Sequence, residues 1–237
     1  MSTALITGAS RGIGRAIAVC FAKAGYDVAF CYSKDDIGAK ETARLIRETG
    51  KEPLVYKVDV TNEKQVKEMI ESVFSLEVLI NNAGVALYQE FCDTSLSQWK
   101  NIFSVNVEGA FLCSKYAIEK MRKREKGAII NISSIWGETG ASMEVAYSAS
   151  KAALIGMSKA LAKEVAPSNI TVNCISAGIV DTDMNSHLSK EDISNFLLEV
   201  PAGRVALPEE IAKGALFLAE NNYITGEVLR INGGFLI

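Results

Sequence analysis

Short apolar, β-branched runs alternate along the chain with longer stretches in which apolar residues recur every three or four positions. The short runs predict strands at Ala4–Thr7, Val28–Tyr32, Leu54–Lys57, Val78–Asn81, Ala128–Ser133, Ile170–Ile175 and Val228–Ile231. The longer ones predict helices near Ile13–Ala24, Ile37–Thr49, Glu63–Phe74, Leu96–Lys123, Ala146–Ala166 and Pro208–Ala219. Regular strand–helix alternation implies right-handed crossovers, hence an α/β, doubly wound parallel sheet of about seven strands with helices on both faces. A near-continuous apolar strand such as AIINIS suits a position buried on both sides. No repeat or Pro/Gly-rich linker divides residues 1–237, so a single domain is expected. Polar residues from Ile179 to Val205 interrupt the alternation and suggest a lid beyond a strand's carboxyl end.

Composition narrows the function. A net charge of −3 gives no basic surface for nucleic acid. The five cysteines are dispersed without a CxxC pair, as in reduced core thiols rather than a disulfide framework or metal site. One histidine, His187, makes a histidine-rich metal centre or a Ser-His-Asp triad a poor fit; it is expected as a polar lid residue. No apolar run approaches membrane-spanning length, and Met1 leads almost directly into ALITGAS, so a cytoplasmic location without membrane partners is expected.

The first strand runs into TGASRGIG, Thr7–Gly14, followed at once by a helix. Glycines there permit a tight turn, and a helix N-terminus offers unpaired N–H groups to a phosphate. The spacing GxxxGxG departs from GxGxxG, yet strand before and helix after point to a nucleotide held by Gly8, Ser10, Arg11, Gly12, Ile13 and Gly14. Folds that bind NAD place an acid at the end of the second strand. This chain has Tyr32, Ser33 and Lys34 there, with acids only at Asp35 and Asp36, so NADPH/NADP+ is expected over NADH.

TGASRGIG, DVT at Asp59–Thr61, NNAG at Asn81–Gly84, Asn106, Ser134 and YSASK at Tyr147–Lys151 occur in that order. The set resembles the short-chain dehydrogenase/reductase family over essentially the whole chain. The resemblance implies a Rossmann-type fold and catalysis by Asn106, Ser134, Tyr147 and Lys151. Ser134 would bind the substrate carbonyl, Tyr147 would exchange the proton, Lys151 would lower the tyrosine's pKa and bind the nicotinamide ribose, and Asn106 would hold a relay water. It further implies cofactor contacts at Asp59, Val60, Asn82, Ala83, Gly84, Gly178, Ile179 and Thr182. Ala177-Gly178 stands where the family usually has Pro-Gly, which leaves the start of the lid looser.

ITVNCI, IVDTDM and YITGEVLRINGG are similar to bacterial 3-oxoacyl-carrier-protein reductases, implying a fatty-acid-synthesis substrate carried on acyl carrier protein. SSIWGETGAS is similar instead to reductases of an aminopentanone modification on elongation factor P; Glu138 and Glu144 would then meet the substrate amine. A third reading is a nucleotide-binding regulator without catalysis. Trp136 is either packing beneath the lid or a wall of the substrate pocket. The apolar C-terminus and the small-residue-rich Ala146–Ala166 helix suggest subunit contacts, and the resemblance implies a homotetramer.

Overall fold

The computed structural model describes residues 2–185 and 189–237; His187 lies outside the described residues. Seven parallel strands form one sheet: β1 (Thr3–Thr7), β2 (Asp27–Tyr32), β3 (Leu54–Lys57), β4 (Leu76–Asn81), β5 (Gly127–Ser134), β6 (Ile170–Ala177) and β7 (Val228–Ile231). Their order is β3-β2-β1-β4-β5-β6-β7, so the chain reverses its direction of travel between β1 and β4. Such a reversal opens a crevice beyond the strands' carboxyl ends.

One sheet face carries α1 (Gly12–Lys23), α2 (Asp36–Arg47) and α9 (Pro208–Glu220), burying Ile17, Phe21, Ile46, Ile211 and Leu218 against alternate strand residues. The other carries α3 (Glu63–Ser72), α5 (Gly109–Arg122) and α7 (Val145–Val165), closing over Leu5, Leu79, Ile129 and Val172. β4, β5 and β6 are buried along their whole length, as their apolar runs imply. β3 is an edge strand with Leu54 and Val55 exposed.

The stretch Leu96–Lys123 is not one continuous α-helix. α4 (Leu96–Phe103) passes into a π-helical segment, Ser104–Glu108, before α5 begins. The extra residue of a π turn aims one side chain inward, and here it is Asn106, which is buried. Between β6 and α9 the lid holds a 3-10 turn, Asp183–Asn185, and α8 (Lys190–Leu197), which a Ser189–Asp192 capping box starts.

Candidate functional site

The crevice holds two adjoining cavities. The first, of about 860 Å³, follows the carboxyl ends of β1, β2 and β4 and is lined by Gly8, Ser10, Arg11, Gly12, Ile13, Gly14, Tyr32, Ser33, Lys34, Asp59, Val60, Asn82, Ala83 and Gly84. The second, of about 490 Å³, lies over β5 and β6 and contains Ser134, Trp136, Tyr147, Lys151, Gly178, Ile179 and Phe235. Ile13, Asn82, Gly84, Glu144 and Thr182 line both.

The glycine-rich turn is packed closely against the Asn82–Gly84 turn. Gly8 has φ +66°, and a Cβ there would lie 2.8 Å from the Ala83 Cα. The turn is held from both flanks. Asn82 Nδ2 donates to the Thr7 and Gly8 carbonyls at 3.0 Å, and Thr7 Oγ1 accepts from the Asn82 and Ala83 amides. On the α2 side, Arg15 donates to the Ser10 carbonyl and to Thr42 Oγ1, while Thr42 donates to the Ala9 carbonyl at 2.9 Å. Tying down the carbonyls leaves the α1 N-terminal amides facing the cavity. Arg11 at the N-cap makes no side-chain cap and the first turn holds no acid, so an anionic phosphate suits this end.

At the end of β2 both acids are occupied. Asp35 caps α2 by accepting from the Gly38 amide at 2.8 Å. Asp36 accepts from the Tyr32 hydroxyl and from Lys57, which hold its carboxyl below the ordinary range. Lys34 lines the cavity and Arg11 faces Asp183 of the lid at 3.7 Å.

Over β5, α7 brings Tyr147 and Lys151 one turn apart, with Ser134 beside the tyrosine; all three are buried. Lys151 Nζ lies 5.5 Å from the Tyr147 ring centroid and donates to the Ile132 carbonyl at 2.8 Å. Burial lowers the lysine's pKa to about 8, so it remains mainly cationic at neutral pH. The expected lowering of the tyrosine is not what this geometry gives. Burial raises the Tyr147 phenol, Glu144 adds to the effect, and only the Ser134 hydroxyl opposes it. Desolvation penalises the charged form of each group, and for the tyrosine it outweighs the hydrogen bond from Ser134. A phenol is protonated at neutral pH whether or not its pKa is raised, as an acid must be; burial makes it the weaker acid.

Two expected residues stand outside the cavity walls. Asn106 sits behind Gly84; its Oδ1 accepts from the Val85 amide at 2.8 Å, and its Nδ2 donates to the Val85 carbonyl and to Ser150 Oγ. This ties the π segment to α7 and the NNAG turn, and leaves Asn106 one acceptor lone pair to offer a water. Glu138, expected beside the substrate, is instead paired with Arg230 of β7. Glu144 does line both cavities.

Trp136 proves to be both packing and pocket wall: its ring meets Phe196 of α8 edge-on at 5.8 Å and Phe235 at 5.6 Å. Sequence reasoning missed Phe196 and Phe235. Within the apolar terminus, which reads as a subunit contact, Phe235 packs on Trp136 and Phe196 of its own chain. Among the described residues there is no cluster fit to hold a metal ion, and no helix is long and apolar enough to cross a membrane.

Comparison with known proteins agrees with this geometry. The family described as Enoyl-(Acyl carrier protein) reductase matches residues 8–236. The 3-oxoacyl-[acyl-carrier-protein] reductase FabG of Chlamydia trachomatis is 40% identical, covering 98% of this chain and 96% of the relative. The chain belongs to the short-chain dehydrogenase/reductase family. The FabG of Aquifex aeolicus is 38% identical over 97% of the chain and 95% of its own length. A solved short-chain type dehydrogenase/reductase from Mycobacterium marinum superposes with a TM-score of 0.93 at 32% identity, covering 99% of this chain and 95% of that one. As a member of this family the protein is an oxidoreductase acting on CH–OH or C=O groups.

Proposed function

We propose that the protein is an NADPH-dependent ketone reductase acting on 3-oxoacyl groups carried by an acyl carrier protein. The observation that carries this reading is the junction of the two cavities: a nucleotide-sized crevice opens onto a chamber whose floor holds Ser134, Tyr147 and Lys151 together. The residues present fit the cofactor, since the α1 N-terminus is left uncapped with no acid in its first turn, and Arg11 and Lys34 line the crevice. When bound, the nicotinamide supplies the hydride.

The chain's residues do the rest. Ser134 donates a hydrogen bond to the ketone oxygen and so orients the carbonyl. Tyr147, protonated at neutral pH, gives its proton to that oxygen as negative charge develops there. The resulting phenolate is stabilised by the Lys151 cation, and the carbonyl gains one hydride and one proton to become an alcohol. A positioned acid of this kind contributes about 10²–10⁴-fold. The preference for a 2′-phosphate rests on Arg11 and Lys34 beside an adenosine end where Asp35 and Asp36 are committed to α2, Tyr32 and Lys57. Homotetrameric assembly, which the family resemblance implies, and a cytoplasmic location belong to the same proposal.

A second reading is favoured by the ketone chamber's charges. Its lining includes Glu144, Asp192 and Glu199, with Lys151 the only lysine or arginine among the described residues there. Carboxylates at the mouth suit a substrate amine, as on the aminopentanone group of modified elongation factor P. NADPH consumption by the purified protein, with acetoacetyl-carrier protein and amino-ketone-modified elongation factor P offered in parallel, separates the two. Preference for the first supports the proposal; preference for the second replaces the substrate while keeping the chemistry. Comparable kcat/KM with NADH would refute the cofactor assignment.

A further inference from the structure

We propose that Glu138 and Arg230 form a strut that fixes the wall of the ketone chamber, making both positioning residues for the reaction rather than ligands of the substrate. The inference rests on the reductase reading above.

Glu138 lies on α6 (Trp136–Thr139), a single turn that begins two residues after Ser134. Arg230 lies on the edge strand β7. The guanidinium donates three hydrogen bonds to the carboxylate: Nε to Oε1 at 3.2 Å, Nε to Oε2 at 2.9 Å and Nη2 to Oε2 at 2.7 Å. A forked pair of this kind fixes direction as well as distance. The glutamate side chain is only 16% exposed. Burial alone would raise its pKa, and the guanidinium, with smaller contributions from Ser176 and Lys159, outweighs that to leave it lowered.

A four-residue helix cannot hold its own position. Three other contacts define where α6 must sit. The Ile135 amide donates to the Ala177 carbonyl at 3.0 Å. Gly137 is pressed so closely on α7 that a Cβ would lie 2.8 Å from the Lys151 carbonyl carbon and 2.9 Å from Ser133 Oγ. Trp136 packs against Phe196 and Phe235. The α6 turn therefore joins the catalytic serine, the backbone of the catalytic lysine, the lid helix and the chain terminus. The Glu138–Arg230 pair is its tie to β7. Loosening that tie frees Trp136 and the chamber wall, while the nucleotide cavity, to which α6 contributes no lining residue, stays as it was.

The test uses Glu138→Gln, Arg230→Met and the exchange Glu138→Arg with Arg230→Glu, each in a Trp99→Phe background so that Trp136 is the sole tryptophan. Either single variant should raise the ketone KM about tenfold, within the roughly 10²-fold that a 1 Å misplacement can cost, equally for a neutral and an amine-bearing ketone. The NADPH dissociation constant should not move, and acrylamide should quench Trp136 more readily. The exchange should restore quenching and KM towards wild type; Arg230→Lys, which keeps charge but loses the fork, should fall between. Wild-type KM and quenching in both single variants would overturn the strut. An effect of Glu138→Gln confined to the amine-bearing ketone would also overturn it, making Glu138 a substrate ligand. If the parent protein turned over no ketone, the reductase reading would fall, and Trp136 quenching would still decide the strut.

Discussion

Gly14→Ala tests how tightly the nucleotide turn is built. A Cβ at Gly14 would lie 2.5 Å from Asn82 Nδ2, 2.5 Å from the Gly8 carbonyl oxygen and 2.9 Å from the Ala9 Cα. Gly8 and Ala9 present backbone, which cannot swing aside. Asn82 can, but only by giving up its hydrogen bonds to the Thr7 and Gly8 carbonyls. Each such bond contributes about 1 kcal/mol. Forcing a methyl into a packed site costs about 1–3 kcal/mol more. The variant should therefore lose about 3–5 kcal/mol, a large share of the roughly 5–15 kcal/mol that holds a typical domain folded. Urea unfolding followed by circular dichroism should show a lower midpoint with an unchanged slope. NADPH titration should show weaker binding, since the displaced turn is the one whose amides would meet the phosphate. A variant with the wild-type midpoint and wild-type affinity would refute the reasoning.

Other outcomes follow from the buried groups and open positions. Folding lowers the Lys151 pKa from 10.5 to about 8, so between those values the unfolded chain binds more protons; this residue's cost to stability, full below about pH 8, fades as pH rises towards 10.5. Denaturation against pH should thus show wild type gaining on Lys151→Met across that window, and kcat should fall as Lys151 loses its charge through about pH 8. A flat difference would contradict the lowered pKa. Burial pushes Cys31 up to about 12 and Cys174 up to about 11. A thiol reagent at neutral pH should therefore label exposed Cys92 first, and fast labelling of Cys31 or Cys174 would contradict their placement. Gly156 of α7 has nothing within 4 Å of a built Cβ. Gly156→Ala should stabilise by about 0.5–1 kcal/mol in thermal unfolding; a loss, with a lower mass by light scattering, would show another subunit there.

How far the sequence discloses this molecule depends on whether a feature is local. The strands were legible because central parallel strands are buried on both faces, which forces runs such as ALIT, VLIN and AIINIS. The turn at Gly8–Gly14 was legible because close approach admits only glycine. The break in Leu96–Lys123 was not, because both halves favour helix and only the fit of Asn106 against Val85 and Ser150 introduces the π segment. Glu138 was misplaced because its partner, Arg230, stands 92 residues away. The net rise of the Tyr147 pKa was not legible for a related reason: the Tyr-Lys spacing is local, whereas burial of the pair comes from the whole fold. Phe196 and Phe235 reach the chamber only through the lid and the terminus, whose course no local pattern fixes.

The most direct measurement compares wild type with Tyr147→Phe in NADPH-dependent reduction of a 3-oxoacyl substrate, followed by loss of nicotinamide absorbance. The substitution removes one hydroxyl and leaves the ring that packs beside Lys151. The account predicts unchanged NADPH binding and a rate lower by about 10²–10⁴-fold. A variant that kept its rate within a few-fold of wild type would show that Tyr147 is not the proton donor.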